Sequence, residues 1–203
     1  AGISRIFRSR YLLGISLLVV LLATLNTFLY MEQARLVADT FTDTAQRIRV
    51  FSALDFTVQA LALLSQLFIT GRVAARLGLR FLLTAVPLAV GLSFLALAAF
   101  PVFGVLAAAM ILRRAGEYAL IRPGREMLFT AVPPEDKYKT KSVIDTVVYR
   151  GGDAASGWVK AGVDMLGYGA ALIALLGAAV ALGAAAVGYG LGKRADARKP
   201  DHS

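Results

Sequence analysis

The sequence predicts an all-α integral membrane protein of six transmembrane helices, and three observations carry that expectation. Hydrophobic residues fill 58% of the 203 positions, charged residues only 17%, and the mean hydropathy is +0.67. A soluble domain carries about 25% charged residues and keeps its apolar runs short. Mainly apolar windows of roughly 20 residues recur along the chain, each long enough to cross a hydrocarbon core of about 30 Å. The basic residues, in turn, gather in every second connection between those windows.

The first helix is expected from about Tyr11 to Met31, behind a basic stretch containing Arg5, Arg8 and Arg10. A mixed-charge segment, Glu32 to Arg49, is expected to hold a short helix or a helical extension. The second span covers about Val50 to Thr70, and a short basic loop, Gly71–Arg80, leads to the third, from about Leu79 to Phe100. Pro101 opens the fourth, which ends near Ile121, just before Pro123. A longer polar segment, Arg122 to Lys141, is expected to form a short amphipathic helix on the membrane surface. The fifth span follows from about Ser142 to Leu166, and the sixth, Tyr168 to Leu191, is almost entirely Ala, Gly, Leu and Val.

Fifteen of the 22 basic residues fall in the N-terminal segment, in loop 71–80, in segment 122–141 and in the tail. The intervening connections are neutral or mixed. By the positive-inside rule both termini are cytoplasmic, in an inner membrane. Residues 1–192 then form the bundle and residues 193–203 a polar tail. The chain begins at Ala1 rather than Met, which is the expectation for processing or for excision from a longer polypeptide.

Several functions are excluded or left without support. There is no cysteine, so disulfide and thiolate chemistry are absent. The single His202 sits in the polar tail. No nucleophilic triad, metal-spaced His/Cys group or phosphate-binding loop occurs, so neither an enzyme nor a cofactor or metal is expected. The formal charge of +9 belongs to the membrane topology, not to nucleic acid.

Charges at membrane depth are costly and face a cavity or a partner. On the fifth span Arg150, Asp153, Lys160 and Asp164 fall within about 80° of one another on an ideal helix. Their spacing makes Arg150–Asp153 and Lys160–Asp164 natural pairs. Two readings stand: a stripe facing a solute cavity, or a ladder that locks adjacent helices. Gly151, Gly152 and Gly157 allow either close packing or a local break. On the fourth span Arg113 is spaced to pair with Glu117, while Arg114 and Tyr118 occupy the next stripe; the alternative is that the arginines snorkel to the interface. On the second span Asp55, Gln59 and Gln66 lie within about 40°, a face suited to a solute or to neighbouring helices. Asn26, with Thr24 and Thr27, is a weaker polar group of the same kind. Gly177, Gly183 and Gly188 in the last span permit close helix contacts and suit either a passive helix at the edge of the bundle or a dimer interface.

The run GRVAARLGLR, Gly71–Arg80, resembles the cytoplasmic loop between the second and third helices of each half of major facilitator carriers, with Ala75 where the family has an acid. The stretch from Ile111 to Val159 resembles the second half of the ATP/ADP translocases of plastids and obligate intracellular bacteria. The matching elements are Tyr118, Pro123, Arg125-Glu126-Met127, Lys139-Thr140-Lys141, Ile144-Asp145, and Arg150 followed by Gly152. Glu117 and Asp153 stand where the nucleotide exchangers carry lysines, as in free-living bacterial relatives.

The resemblance implies a twelve-span carrier, of which these are spans seven to twelve, with an N-terminal six-helix half as partner. It also implies transport by alternating access of ATP/ADP, another nucleotide or an organic anion. The resulting expectation is a secondary transporter of a small anionic solute in the lipid bilayer. Its substrate contacts are expected among Arg150, Asp153, Lys160, Asp164, Arg113, Arg114, Glu117, Asp55 and Gln59. The competing expectation is a membrane sensory or scaffold module that keeps the fold without transport.

Overall fold

In the computed structural model, which describes residues 6–68, 70–165 and 170–197, every regular element is helical and no strand occurs among the described residues. The helices are α1 (Arg10–Thr40), α2 (Thr44–Phe68), α3 (Thr70–Ala99), α4 (Phe103–Gly116), α5 (Arg122–Leu128), α6 (Pro134–Val143), α7 (Tyr149–Met165) and α8 (Ala170–Asp196). A π-helical turn, Glu117–Ile121, joins α4 to α5, and a second, Ile144–Val148, joins α6 to α7. The backbone stays right-handed helical through both junctions, so α4–α5 and α6–α7 are continuous rods. Six rods result among the described residues.

Among the described residues four helical segments are long and apolar enough, by length and composition, to cross a membrane: Arg10–Thr40, Thr44–Leu67, Arg76–Ala99 and Ala171–Asp196. The other two rods carry most of the charges that the sequence places inside spans, from Arg113 to Glu117 on one and from Arg150 to Asp164 on the other, while Asp55 lies on α2. Large apolar side chains cover the outside, among them Phe56, Leu92, Trp158 and Leu182, each more than half exposed. Such a surface is what a bilayer, not water, would cover.

Pro123 accounts for the first π-turn. It supplies no N–H and its ring crowds the carbonyl four residues back, so the ladder takes in an extra residue. The Arg122 N–H accordingly reaches five residues back, to Glu117 O. No proline accounts for the second turn, where the Tyr149 N–H likewise reaches Ile144 O.

The helices pair in a regular pattern. The α3–α8 contact is the largest, followed by α1–α7 and α1–α8, then α3–α4 and α2–α4. If the first three rods are exchanged with the last three in order, each of these pairings maps onto another or onto itself. These five pairings are thus symmetric under the exchange of the two sets of three rods. The α3–α8 seam is close because α8 presents glycines: a Cβ on Gly177 would meet the Phe94 ring at 2.5 Å, and one on Gly188 would meet Leu83 O at 2.6 Å. Gly177 and Gly188 therefore serve a contact inside the chain, not the dimer interface or passive edge that the sequence suggested.

One end of the bundle gathers four of the chain's basic segments. Tyr11 donates from its hydroxyl to Leu128 O at 2.9 Å, and Arg80 pairs with Asp196 at 3.1 Å. At the opposite end Phe41 and Phe103 meet edge to face, 5.3 Å between centroids.

Two expected boundaries are corrected. Gly71–Arg80 is helix, not loop, with its break at Gly78, whose φ of 72° is a conformation that favours glycine. Segment 122–141 is no separate surface helix: α5 prolongs the fourth rod to Leu128, and α6 begins the fifth at Pro134. At about 1.5 Å per residue both rods exceed the ~30 Å core, so they project past it at the basic end.

Candidate functional site

The site grows from three rods that meet along α1. Asn26 and Thr27 lie near the middle of α1. Arg113, Arg114 and Glu117 lie at the end of α4 and the start of its π-turn, with Arg122 and Arg125 one to two turns on. Asp145, Tyr149 and Asp153 follow on the rod beside them. The first π-turn is what aligns the fourth rod. On an uninterrupted helix Arg122 would lie about 180° from Arg113, whereas one inserted residue turns it by about 100° onto the same side.

Between these rods lies an open cavity of about 450 Å³, whose lining includes Asn26, Arg113, Glu117, Tyr118, Arg122 and Tyr149. It adjoins a second space of about 720 Å³ that shares Asn26, Asp145 and Tyr149 and extends past Thr27, Tyr30, Arg150 and Asp153. Together they form one cleft with five arginines and four carboxylates in its walls.

Most of those charges are already engaged. Arg114 pairs with Asp55 of α2 and Arg125 with Asp145. Glu126 takes both its contacts from Lys141 Nζ, at 2.5 and 2.7 Å. The Arg122 guanidinium stacks over the Tyr118 ring at 4.2 Å. Asn26 Nδ2 donates to the Tyr149 hydroxyl at 3.4 Å. Thr27 donates to Asp153, and Ser156 donates to Thr24 at 2.8 Å, so hydroxyls stitch α7 to α1. Gly152 brings the two helices together, for a Cβ there would stand 3.3 Å from Val20 Cα.

Arg113 and Arg125 each bury an Nε that has no hydrogen-bond partner. Arg125 keeps its ion pair with Asp145, whereas Arg113 makes no ion pair among the described residues. A buried donor left open is costly unless something arrives to fill it.

Several expected pairings are corrected. Arg150 does not pair with Asp153; the carboxylate is held by Thr27, and Arg150 stands exposed on the cleft wall. Arg113 and Glu117 line one cavity without forming an ion pair. Asp55 ties α2 to α4 and does not stand in the cleft, and Gln59 is exposed beside it on α2. Lys160 and Asp164 belong to α7, but their side chains lie outside the described residues. The glycines of α7 leave it unbroken.

Arg122, Tyr149 and Tyr30 were not singled out by the sequence as contacts, and Arg125, Glu126 and Asp145 entered it only as matching elements of a resemblance. The signal for the fourth rod was Pro123, whose π-turn moves the later arginines to the cleft. A further hollow of about 690 Å³, between α2, α3 and α4, is lined by residues such as Leu61, Phe81, Val86 and Leu112, and has no charged side chain in its wall. Among the described residues no group of three or more metal-ligating side chains gathers. No family model, curated protein or solved structure matches this chain.

Proposed function

We propose that this chain is six membrane spans of a secondary transporter that moves a small anionic solute by alternating access. The observation that carries the reading is the cleft: arginine-rich, lined from Arg125 and Glu126 to Asn26 and Tyr30 on α1, with the buried Arg113 Nε unfilled. Charged residues at membrane depth gather on polar pathways, and a guanidinium fork suits a carboxylate or phosphate. The symmetric pairing of the first three rods with the last three supports a carrier built from inverted repeats, as in major facilitator transporters. The exposed face of α2 with Asp55 and Gln59 is then the surface turned toward an N-terminal six-helix half. The basic end is cytoplasmic on the positive-inside rule.

Exchange of ATP for ADP is what the resemblance of Ile111 to Val159 implies. The charge balance favours an anion of lower charge. Four carboxylates beside five arginines leave little positive charge for a polyphosphate.

The test is uptake and counterflow by the full-length protein in proteoliposomes, over a panel of nucleotides and organic anions. Arg113→Ala is expected to lower uptake of the preferred anion at least tenfold, the scale of one lost charge-assisted hydrogen bond. Parental uptake by a folded Arg113→Ala protein would remove the cleft as the solute site.

A further inference from the structure

We infer that the solute carries an ammonium group as well as its anionic group, and that Glu117 is the residue that selects for it. The inference rests on the anion-carrier reading and names its substrate class. It follows from cancelling the charges in the first cavity that already have partners. Arg114 is neutralised by Asp55, Arg125 by Asp145, and Glu126 by Lys141. What remains in the wall is Arg113, Arg122 and Glu117.

Arg113 brings a buried Nε without a partner. Glu117 follows it by one turn, where side chains at i and i+4 start about 5–6 Å apart, yet the two make no ion pair with each other or elsewhere among the described residues. Arg122 keeps its charge above the Tyr118 ring, nearer the basic end. Two cations and one carboxylate are thus left for a ligand.

The complementary molecule has one more negative than positive charge. Its carboxylate or phosphate meets Arg113 and Arg122, and its ammonium meets Glu117. A solute without the ammonium would place its negative charge beside an uncompensated carboxylate in a low-dielectric wall, which disfavours it.

Two matched pairs isolate the ammonium: glutamate against glutarate, and phosphoethanolamine against ethyl phosphate. Competition of each against counterflow by the full-length protein in proteoliposomes gives its relative affinity. The wild type is expected to favour the amine-bearing member of at least one pair by tenfold or more, and which pair responds separates a carboxylate from a phosphate ligand. Glu117→Gln is expected to bring that ratio near one by weakening the amine-bearing member and strengthening the other, while Glu117→Asp keeps the preference.

Equal or better binding of glutarate and ethyl phosphate by the wild type overturns the inference and leaves anion transport standing. So does a Glu117→Gln protein in which both members of a pair weaken together, the result of a merely structural role. If the wild type moves no anion of any kind, the carrier reading falls and the inference with it.

Discussion

Arg114 on α4 forms an ion pair with Asp55 on α2, and this pair ties the least buried long helix to the rest of the bundle. Only 17% of the apolar window of α2 is buried, against 44% for each of the other three apolar helices, so hydrophobic contacts within this chain hold it weakly. Asp55→Asn and Arg114→Gln are each expected to destabilise the protein, and the double variant by less than their sum. A double-mutant cycle on unfolding in detergent should give a coupling of about 1–3 kcal/mol. Additive effects would mean that the pair contributes nothing to holding α2.

The absence of cysteine makes the chain ready for a topology test by single introduced thiols. Thr42 lies in the turn between α1 and α2, while Lys193 lies near the end of α8 at the basic end. Thr42→Cys is expected to react with an impermeant maleimide only from outside intact cells, and Lys193→Cys only after permeabilisation. Labelling of both from one side would refute the six-span arrangement.

The α3–α8 seam supplies a stability test. Gly188→Ala drives a Cβ against Leu83 O, which is backbone and yields little, whereas nothing stands within 4 Å of a Cβ on Gly190. Gly188→Ala is expected to cost about 1–3 kcal/mol through overpacking, and Gly190→Ala to leave the melting temperature near the parental value. Equal melting temperatures for the two would show that the seam is looser than its geometry.

The positions of the helices were legible in the sequence because a bilayer selects apolar windows and basic connections, and both signals are linear. Within α3 the backbone breaks at Gly78, one residue before the start that hydropathy suggested, although helix also precedes the break. The cleft was legible only in part. Arg113 and Glu117 stand out as charges inside an apolar stretch, but Arg122 and Arg125 look like loop residues when a span is cut at about 20 positions. Their place on the cleft depends on a π-turn that shifts the helical phase, which a fixed 3.6-residue period cannot express. Partner choice was hidden for another reason. Spacing on α7 favours Arg150 for Asp153, yet Thr27, 126 positions away on α1, takes the carboxylate.

That partner choice separates folding from function on α7. Asp153 is held by the Thr27 hydroxyl, so the carboxylate keeps a donor whatever stands at position 150. Arg150 is exposed on the cleft wall and makes no ion pair among the described residues. Arg150→Ala is therefore expected to change stability by no more than about 0.5 kcal/mol, as for an unpaired exposed side chain. Its effect should fall on transport: loss of a cation from the cleft is expected to lower anion uptake at least tenfold, with Arg150→Lys intermediate because the charge remains and the fork does not. Thr27→Val is expected to do the reverse. It keeps the volume but leaves Asp153 without its hydroxyl donor, at a cost of about 1–3 kcal/mol in unfolding free energy. Melting curves in detergent and uptake in proteoliposomes, measured on the same preparations, check both arms. A stable Arg150→Ala protein that transports at the parental rate would take Arg150 out of the solute path. An Arg150→Ala protein that melts early would return it to the helix-locking ladder that the spacing of α7 first offered.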